Sequence, residues 1–203
     1  MNVYDLTAAV GRIKARSERL PRHRVVDELS DALGSFVSDE DSKTFVEQLS
    51  PNGNYTRLLL NSPDDSFQIV LVLWGPGRGS PIHDHDGTVG VVSSIMGTTR
   101  EIKYEVLQQR GQESVLARGD EILIAPTHVT PIFPEPDTQL HLMINDTSQW
   151  TATVHVYLDA IDRYRLYHQQ SGNLYRSELT ELWFDQVNVG KHITPMQQPV
   201  TTT

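Results

Sequence analysis

The chain contains no cysteine among its 203 residues. Disulfides, thiolate–zinc sites and cysteine nucleophiles are thereby excluded, and any metal centre must use His, Asp or Glu. No apolar run approaches the roughly 18 residues of a membrane-spanning helix, and no signal-peptide pattern opens the sequence. A cytoplasmic protein without a membrane partner is therefore expected. Positive charge is also scarce: 17 Lys and Arg face 26 Asp and Glu, a formal net charge of −9. Nucleic-acid backbones call for a basic surface, so such a partner is not expected. The glycines at 75, 77 and 79 have no helix after them and do not make a dinucleotide fingerprint; they shape a turn instead.

What remains is a globular composition, 38% apolar and 21% charged, of a length that suits one domain with its own core. No internal repeat or low-complexity segment breaks it up. Residues 1 to about 50 follow a helical period: Leu6, Ala9, Val10 and Ile13, then Val25, Val26, Leu29, Ala32, Leu33 and Phe36. Ser38-Asp-Glu-Asp resembles a cap before a third short helix carrying Phe45, Val46 and Leu49, and Asp39 to Asp41 reads as helix-terminus charge, not a calcium site. Pro51-Asn-Gly-Asn ends the helical part.

From Tyr55 the pattern becomes short strands divided by turns. They are read at Tyr55–Leu60, Phe67–Trp74, Gly87–Met96, Thr99–Leu107, Ser114–Leu116, Ile122–Ala125, Leu140–Ile144 and Thr151–Leu158. A turn is read at Gln108–Gly111, and Arg118-Gly-Asp120 precedes the strand at Ile122. A mainly β sandwich or jelly-roll barrel follows, the architecture that includes the cupins. The expected organisation is one cupin domain over 1–203, with a helical segment to residue 50, a barrel core over 54–158 and a mixed, polar extension over 159–203. Trp183-Phe184 is expected to pin that extension to the barrel, and Gln197 to Thr203 to fray.

Three strand segments carry functional side chains at i and i+2, a spacing that turns both toward one face. They are Tyr55/Arg57, His83/His85 and His155/Tyr157. Two imidazoles converging in this way form part of a site for Fe, Zn, Cu or Ni, while Asp84 and Asp86 face the other way. A planar guanidinium such as Arg57 matches a carboxylate. His141 and His128 both lie where a further ligand could come from. His23, His168 and His192 have no partner at meaningful spacing and read as surface groups.

Taken in order, Tyr55-Thr-Arg57, Leu73-Trp-Gly-Pro-Gly77, Ser80-Pro-Ile-His83-Asp-His85, His141 with Asn145, and Val154-His155-Val-Tyr157 resemble the cysteine dioxygenase family, thiol dioxygenases of the cupin fold that use one iron. The resemblance runs from about Asn54 to Leu158. It implies Fe(II) on His83, His85 and His141, with His141 preferred to His128. It implies carboxylate capture by Arg57 assisted by Tyr55, and a catalytic group of Tyr157, His155 and Thr153. The implied reaction converts L-cysteine and dioxygen to cysteine sulfinate. Animal members carry a cysteine that crosslinks to the active-site tyrosine; here Gly90 stands at that place, so Tyr157 is expected to stay an unmodified phenol, as in bacterial members. Arg57 favours cysteine over 3-mercaptopropionate. Alternatives are another small thiol such as 3-mercaptopropionate or cysteamine, a non-catalytic metal-binding sensor, or an isomerase using Mn, Ni or Zn.

Overall fold

The computed structural model describes residues 1–49, 51, 55–134, 140–189 and 192–195. Helices α1 (Val3–Lys14), α2 (Arg22–Val37) and α3 (Glu40–Glu47) come first. The strands follow as β1 (Tyr55–Leu59), β2 (Gln68–Trp74), β3 (Arg78–Gly79), β4 (Ile82–His83), β5 (Gly90–Met96), β6 (Thr99–Arg110) and β7 (Glu113–Ile124). Then come β8 (Val129–Ile132), β9 (Leu140–Asn145), β10 (Thr151–Tyr157), β11 (Arg163–Ser171), β12 (Leu174–Glu181), β13 (Gln186–Val189) and β14 (His192–Pro195). One sheet runs β14-β13-β1-β2-β10-β5-β8 and the other β3-β9-β4-β11-β12-β7-β6, with β6 also pairing β9. This is the mainly β cupin architecture, fronted by helices.

The strand β2 explains how the layers assemble. All seven of its residues are buried, as befits a strand covered on both faces. Ile69, Leu71 and Leu73 point to one side and join the cluster formed with Leu6, Val10, Leu29, Leu33 and Phe36 of the helices. Val70, Val72 and Trp74 point to the other and join Met143, Tyr157, Ile161 and Tyr164 between the sheets. Each such side chain contributes about 1.5–3 kcal/mol by leaving water. The helices thus serve as a lid for the outer face, and the inner face is left to build a pocket.

Two parts differ from the sequence reading. In that reading Arg118-Gly-Asp120 stands between two separate short strands, yet β7 continues through these residues, paired with β6 across register shifts that absorb the irregularity. The reversal falls at Gly111, whose φ of 60° suits glycine, so β6 extends through Gln108 to Arg110. The segment after Asp159 is not a mixed extension. Its strands β11 and β12 belong to the second sheet, and β13 lies parallel to β1 in the first. Within the capping stretch Ser38–Asp41, Asp39 is the residue that caps α3, accepting from the Ser42 amide. The breaker Asn52–Asn54, residue Pro136 and the tail Gln197–Thr203 lie outside the described residues.

Candidate active site

Strand pairing assembles the imidazoles. His83 and His141 are directly opposed across β4 and β9, a position where side chains on one face meet. His85, two residues on, joins them. The ring centroids lie 5.1, 4.7 and 4.6 Å apart, and one nitrogen from each ring falls within 4.8 Å of the others. His83 Nδ1 lies 2.9 Å from the Pro81 carbonyl oxygen and His141 Nδ1 lies 2.6 Å from Glu101 Oε1. With both Nδ1–H groups donating, Nε2 of each ring keeps its lone pair for a metal. His141 Nε2 is buried with no hydrogen-bond partner among the described residues, a costly arrangement that a bound cation relieves. Burial, then the neighbouring His141, holds the His83 pKa well below its ordinary value, so that ring is neutral and ready to ligate.

The intervening Asp84 still borders the pocket, although alternation along a strand would turn it away, and its carboxylate is taken up by β11. Its Oδ1 accepts from the Arg165 amide at 2.8 Å, while its own amide donates to the Arg165 carbonyl at 3.1 Å. This clasp fixes β11 beside the histidines. Burial pushes the Asp84 carboxyl up against those donors. The chain then reverses through Asp86 and Gly87, with φ of 51° and 75°; aspartate is among the few side chains that accept this backbone. On the opposite flank Asn145 donates to the carbonyls of Trp74 and Gly75 and so closes the Gly/Pro turn after β2.

Arg57 is the cation of the pocket. It is 8% exposed, and its guanidinium forms no ion pair among the described residues, the Asp185 carboxylate beside it accepting from the Arg57 amide at 2.8 Å instead. Its Nη2 donates to the hydroxyls of Tyr55 at 2.9 Å and Tyr164 at 3.0 Å, and its charge lies over both rings and that of Trp183. A buried guanidinium that forms no ion pair is an anion site.

Thr153, His155 and Tyr157 project inward from β10 and hydrogen-bond in series. Thr153 Oγ1 lies 2.9 Å from His155 Nε2, and His155 Nδ1 lies 3.2 Å from the Tyr157 hydroxyl. Trp74 joins this chain as a donor. Its indole N–H can only donate, and it donates to Thr153 Oγ1 at 2.9 Å. With the threonine hydrogen directed to His155 Nε2, Nδ1–H donates to the Tyr157 hydroxyl. The phenol keeps its own hydrogen for the cavity, and burial raises its pKa so that it stays protonated. Gly90 backs this ring: a Cβ there would lie 3.2 Å from Tyr157 Cδ1 and 2.6 Å from the Val156 carbonyl oxygen.

Burial, then His141 and Arg57, lowers the His155 pKa to about 3. The folded chain therefore binds fewer protons than the unfolded chain between about pH 3 and the ordinary histidine value near 6.5. Stability from this group is whole above 6.5 and is lost as pH falls. Metal-free protein is expected to lose about 2 kcal/mol through His155 alone between pH 6.5 and 5, read by urea unfolding at each pH. A His155→Gln variant should flatten that slope.

The structure brings together all eight residues named from the sequence and leaves His128 out, exposed on a turn. His23 and His168 are exposed; the side chain of His192 lies outside the described residues. Sequence reasoning missed Glu101, Trp74 as a donor, and Tyr164. Glu101 sits diagonally across from His141 because Glu101 pairs Met143 and Lys103 pairs His141, a register with no local signal beyond a lone acid in a strand. Burial raises its carboxyl, but the His141 hydrogen bond together with the electrostatic influence of His141, Lys103 and His128 holds it below the ordinary value. Glu101→Gln is expected to weaken metal binding by about 10–100-fold, read by competition with a chelator.

The family model "Cysteine dioxygenase type I" matches residues 17–170. Among curated proteins the chain is similar to cysteine dioxygenase type 1 of Danio rerio, 26% identical over 99 residues and 48% of each chain. It is similar also to that of Homo sapiens, 23% identical over 156 residues and 76% of each chain. The first of these alignments thus spans about half the relative's length. Among solved structures, a cupin-superfamily sugar phosphate isomerase from Silicibacter pomeroyi aligns with a TM-score of 0.44 at 18% identity, covering 63% of this chain and 76% of that one.

Proposed function

This chain belongs to the cysteine dioxygenase type I family, and from that premise we propose that it is a cytoplasmic, iron(II)-dependent enzyme that adds dioxygen to the sulfur of L-cysteine to give cysteine sulfinate. The observation that carries the reading is one cavity lined by both the imidazoles and a buried arginine: Arg57, His83, His85, His155 and Tyr157 all face it. A thiol that also bears a carboxylate can satisfy both ends.

The donor set fits the metal. Three neutral imidazoles offset none of the charge of Fe(II), which favours an anionic thiolate as a further ligand. Iron held there would supply the Lewis acidity that keeps the thiol ionised and a place for dioxygen beside it. The remaining work falls to the chain. Arg57 and Tyr55 hold the carboxylate and so orient the sulfur toward the histidines. Tyr157, fixed by His155 and Thr153, presents its O–H toward the reacting atoms and can stabilise charge that develops there. Val70, Val72 and Ile161 add apolar surface to the cavity wall. The reaction balances as one thiol and one dioxygen giving one sulfinic acid.

The test is oxygen uptake by iron-loaded protein given L-cysteine, 3-mercaptopropionate or cysteamine. Uptake with cysteine supports the assignment, and uptake confined to the other two thiols removes it. One observation favours 3-mercaptopropionate as a second reading. Asp84 is the sole acid among the described residues lining the cavity, and its carboxylate is engaged by β11, so the substrate ammonium gains no protein anion. No uptake with any thiol, despite bound iron, would point to a sensor.

A further inference from the structure

We propose that Tyr164 is a third member of the substrate-carboxylate site, donating its phenolic hydrogen to the carboxylate that Arg57 and Tyr55 attract. The inference rests on the reading that a carboxylate thiol occupies this cavity. It begins with the arginine. A guanidinium has two planar edges that can grip a carboxylate through parallel N–H bonds, and both include Nη2. Here the Nη2 hydrogens are directed to the Tyr55 and Tyr164 hydroxyls. A carboxylate therefore cannot take the full fork of Arg57 while both phenols stay in place. Each phenol oxygen, however, accepts from Nη2 and keeps its own hydrogen. The anion acceptor surface becomes a mixed one, with Nη1–H of Arg57 flanked by tyrosine O–H groups.

Tyr164 is held for this role from several sides. It is buried, its ring packs edge-on to His83 at 5.8 Å, and it lines the same cavity. The Asp84–Arg165 clasp fixes the adjacent residue of β11. Tyr164 thus touches the carboxylate anchor at its hydroxyl and a candidate metal ligand at its ring, so it spans the two ends of the cavity. A hydroxyl needed only to cap Arg57 would not depend on whether the substrate carries a carboxylate; one that grips the carboxylate does.

Tyr164→Phe keeps the ring and removes the hydroxyl. Oxygen uptake by the iron-loaded variant should show KM raised about tenfold for L-cysteine and 3-mercaptopropionate, kcat within about twofold, and cysteamine kinetics unchanged. Propionate binding to metal-free protein, followed by calorimetry, should weaken by the same factor. Unchanged KM for the carboxylate thiols, or an equal loss with cysteamine, overturns the proposal. Should the variant fold poorly, wild-type protein with carbon-13-labelled tyrosine serves: propionate should shift a ring resonance beyond those of Tyr55 and Tyr157, and no such shift overturns it. If the wild type oxidises no thiol while Tyr164→Phe still weakens propionate binding, the reaction assignment fails and this anchor stands.

Discussion

Replacing Arg57 by alanine is expected to raise the apparent KM for L-cysteine by about a hundredfold or more, with cysteamine little affected. The magnitude follows from losing the direct charge-assisted hydrogen bond, worth about 1.5–3 kcal/mol, together with the placement of the two phenols that Arg57 holds, where about 1.4 kcal/mol is tenfold. The direction follows from where the guanidinium sits. It is buried, donates to two phenols and forms no ion pair among the described residues, the nearby Asp185 carboxylate accepting from the Arg57 amide instead, so its charge is available to an incoming anion. Thiols without a carboxylate draw nothing from that charge, which is why cysteamine serves as the internal control. Steady-state oxygen uptake with both thiols decides the matter. Unchanged cysteine kinetics would remove Arg57 from the pocket.

Replacing His141 by alanine is expected to take iron content from about one per chain to near zero after desalting, and to lower turnover by more than about a hundredfold. Even loss of a partner that merely orients a ligand costs about 10–100-fold in affinity, and His141 is one of three rings whose nitrogens meet within 4.8 Å. Removing it also leaves Glu101 as a buried carboxylate without its 2.6 Å partner, so the variant should unfold more readily; His141→Gln is a milder second form. His128→Ala should change neither iron content nor rate, because that ring is on an exposed turn. Atomic absorption on the three variants separates the two histidines, and full iron in His141→Ala would refute the assigned trio.

Local pattern made some of this legible and long-range pairing hid the rest. The i, i+2 spacing at His83/His85, Tyr55/Arg57 and Thr153/His155/Tyr157 is a property of an extended chain, and each set does share a face. Helical periodicity likewise marked the residues that cover β2. His141 is different. Its place depends on β9 lying against β4, which no residue near it announces, and here the family resemblance added what spacing could not.

The strand β11 shows how alternation itself can mislead. Tyr164 belongs to the cluster around the cavity, whereas Tyr167, three residues later, belongs to a separate cluster with Ile82, Ile102 and Leu140. A strand that serves two cores breaks the period-two rule. Its residues then read only as part of a mixed, polar extension, and Tyr164 was lost with them. Glu101 and Trp74 escaped notice for a related reason: each acts through another side chain, so its meaning exists only once the partner is beside it.

The most direct measurement supplies isotopically labelled dioxygen to iron-loaded protein with L-cysteine and weighs the product. The account predicts cysteine sulfinate carrying both labelled oxygen atoms, with one dioxygen consumed per thiol. Cystine as the sole product, a sulfinate with label missing, or no uptake by the iron-bound protein would contradict it.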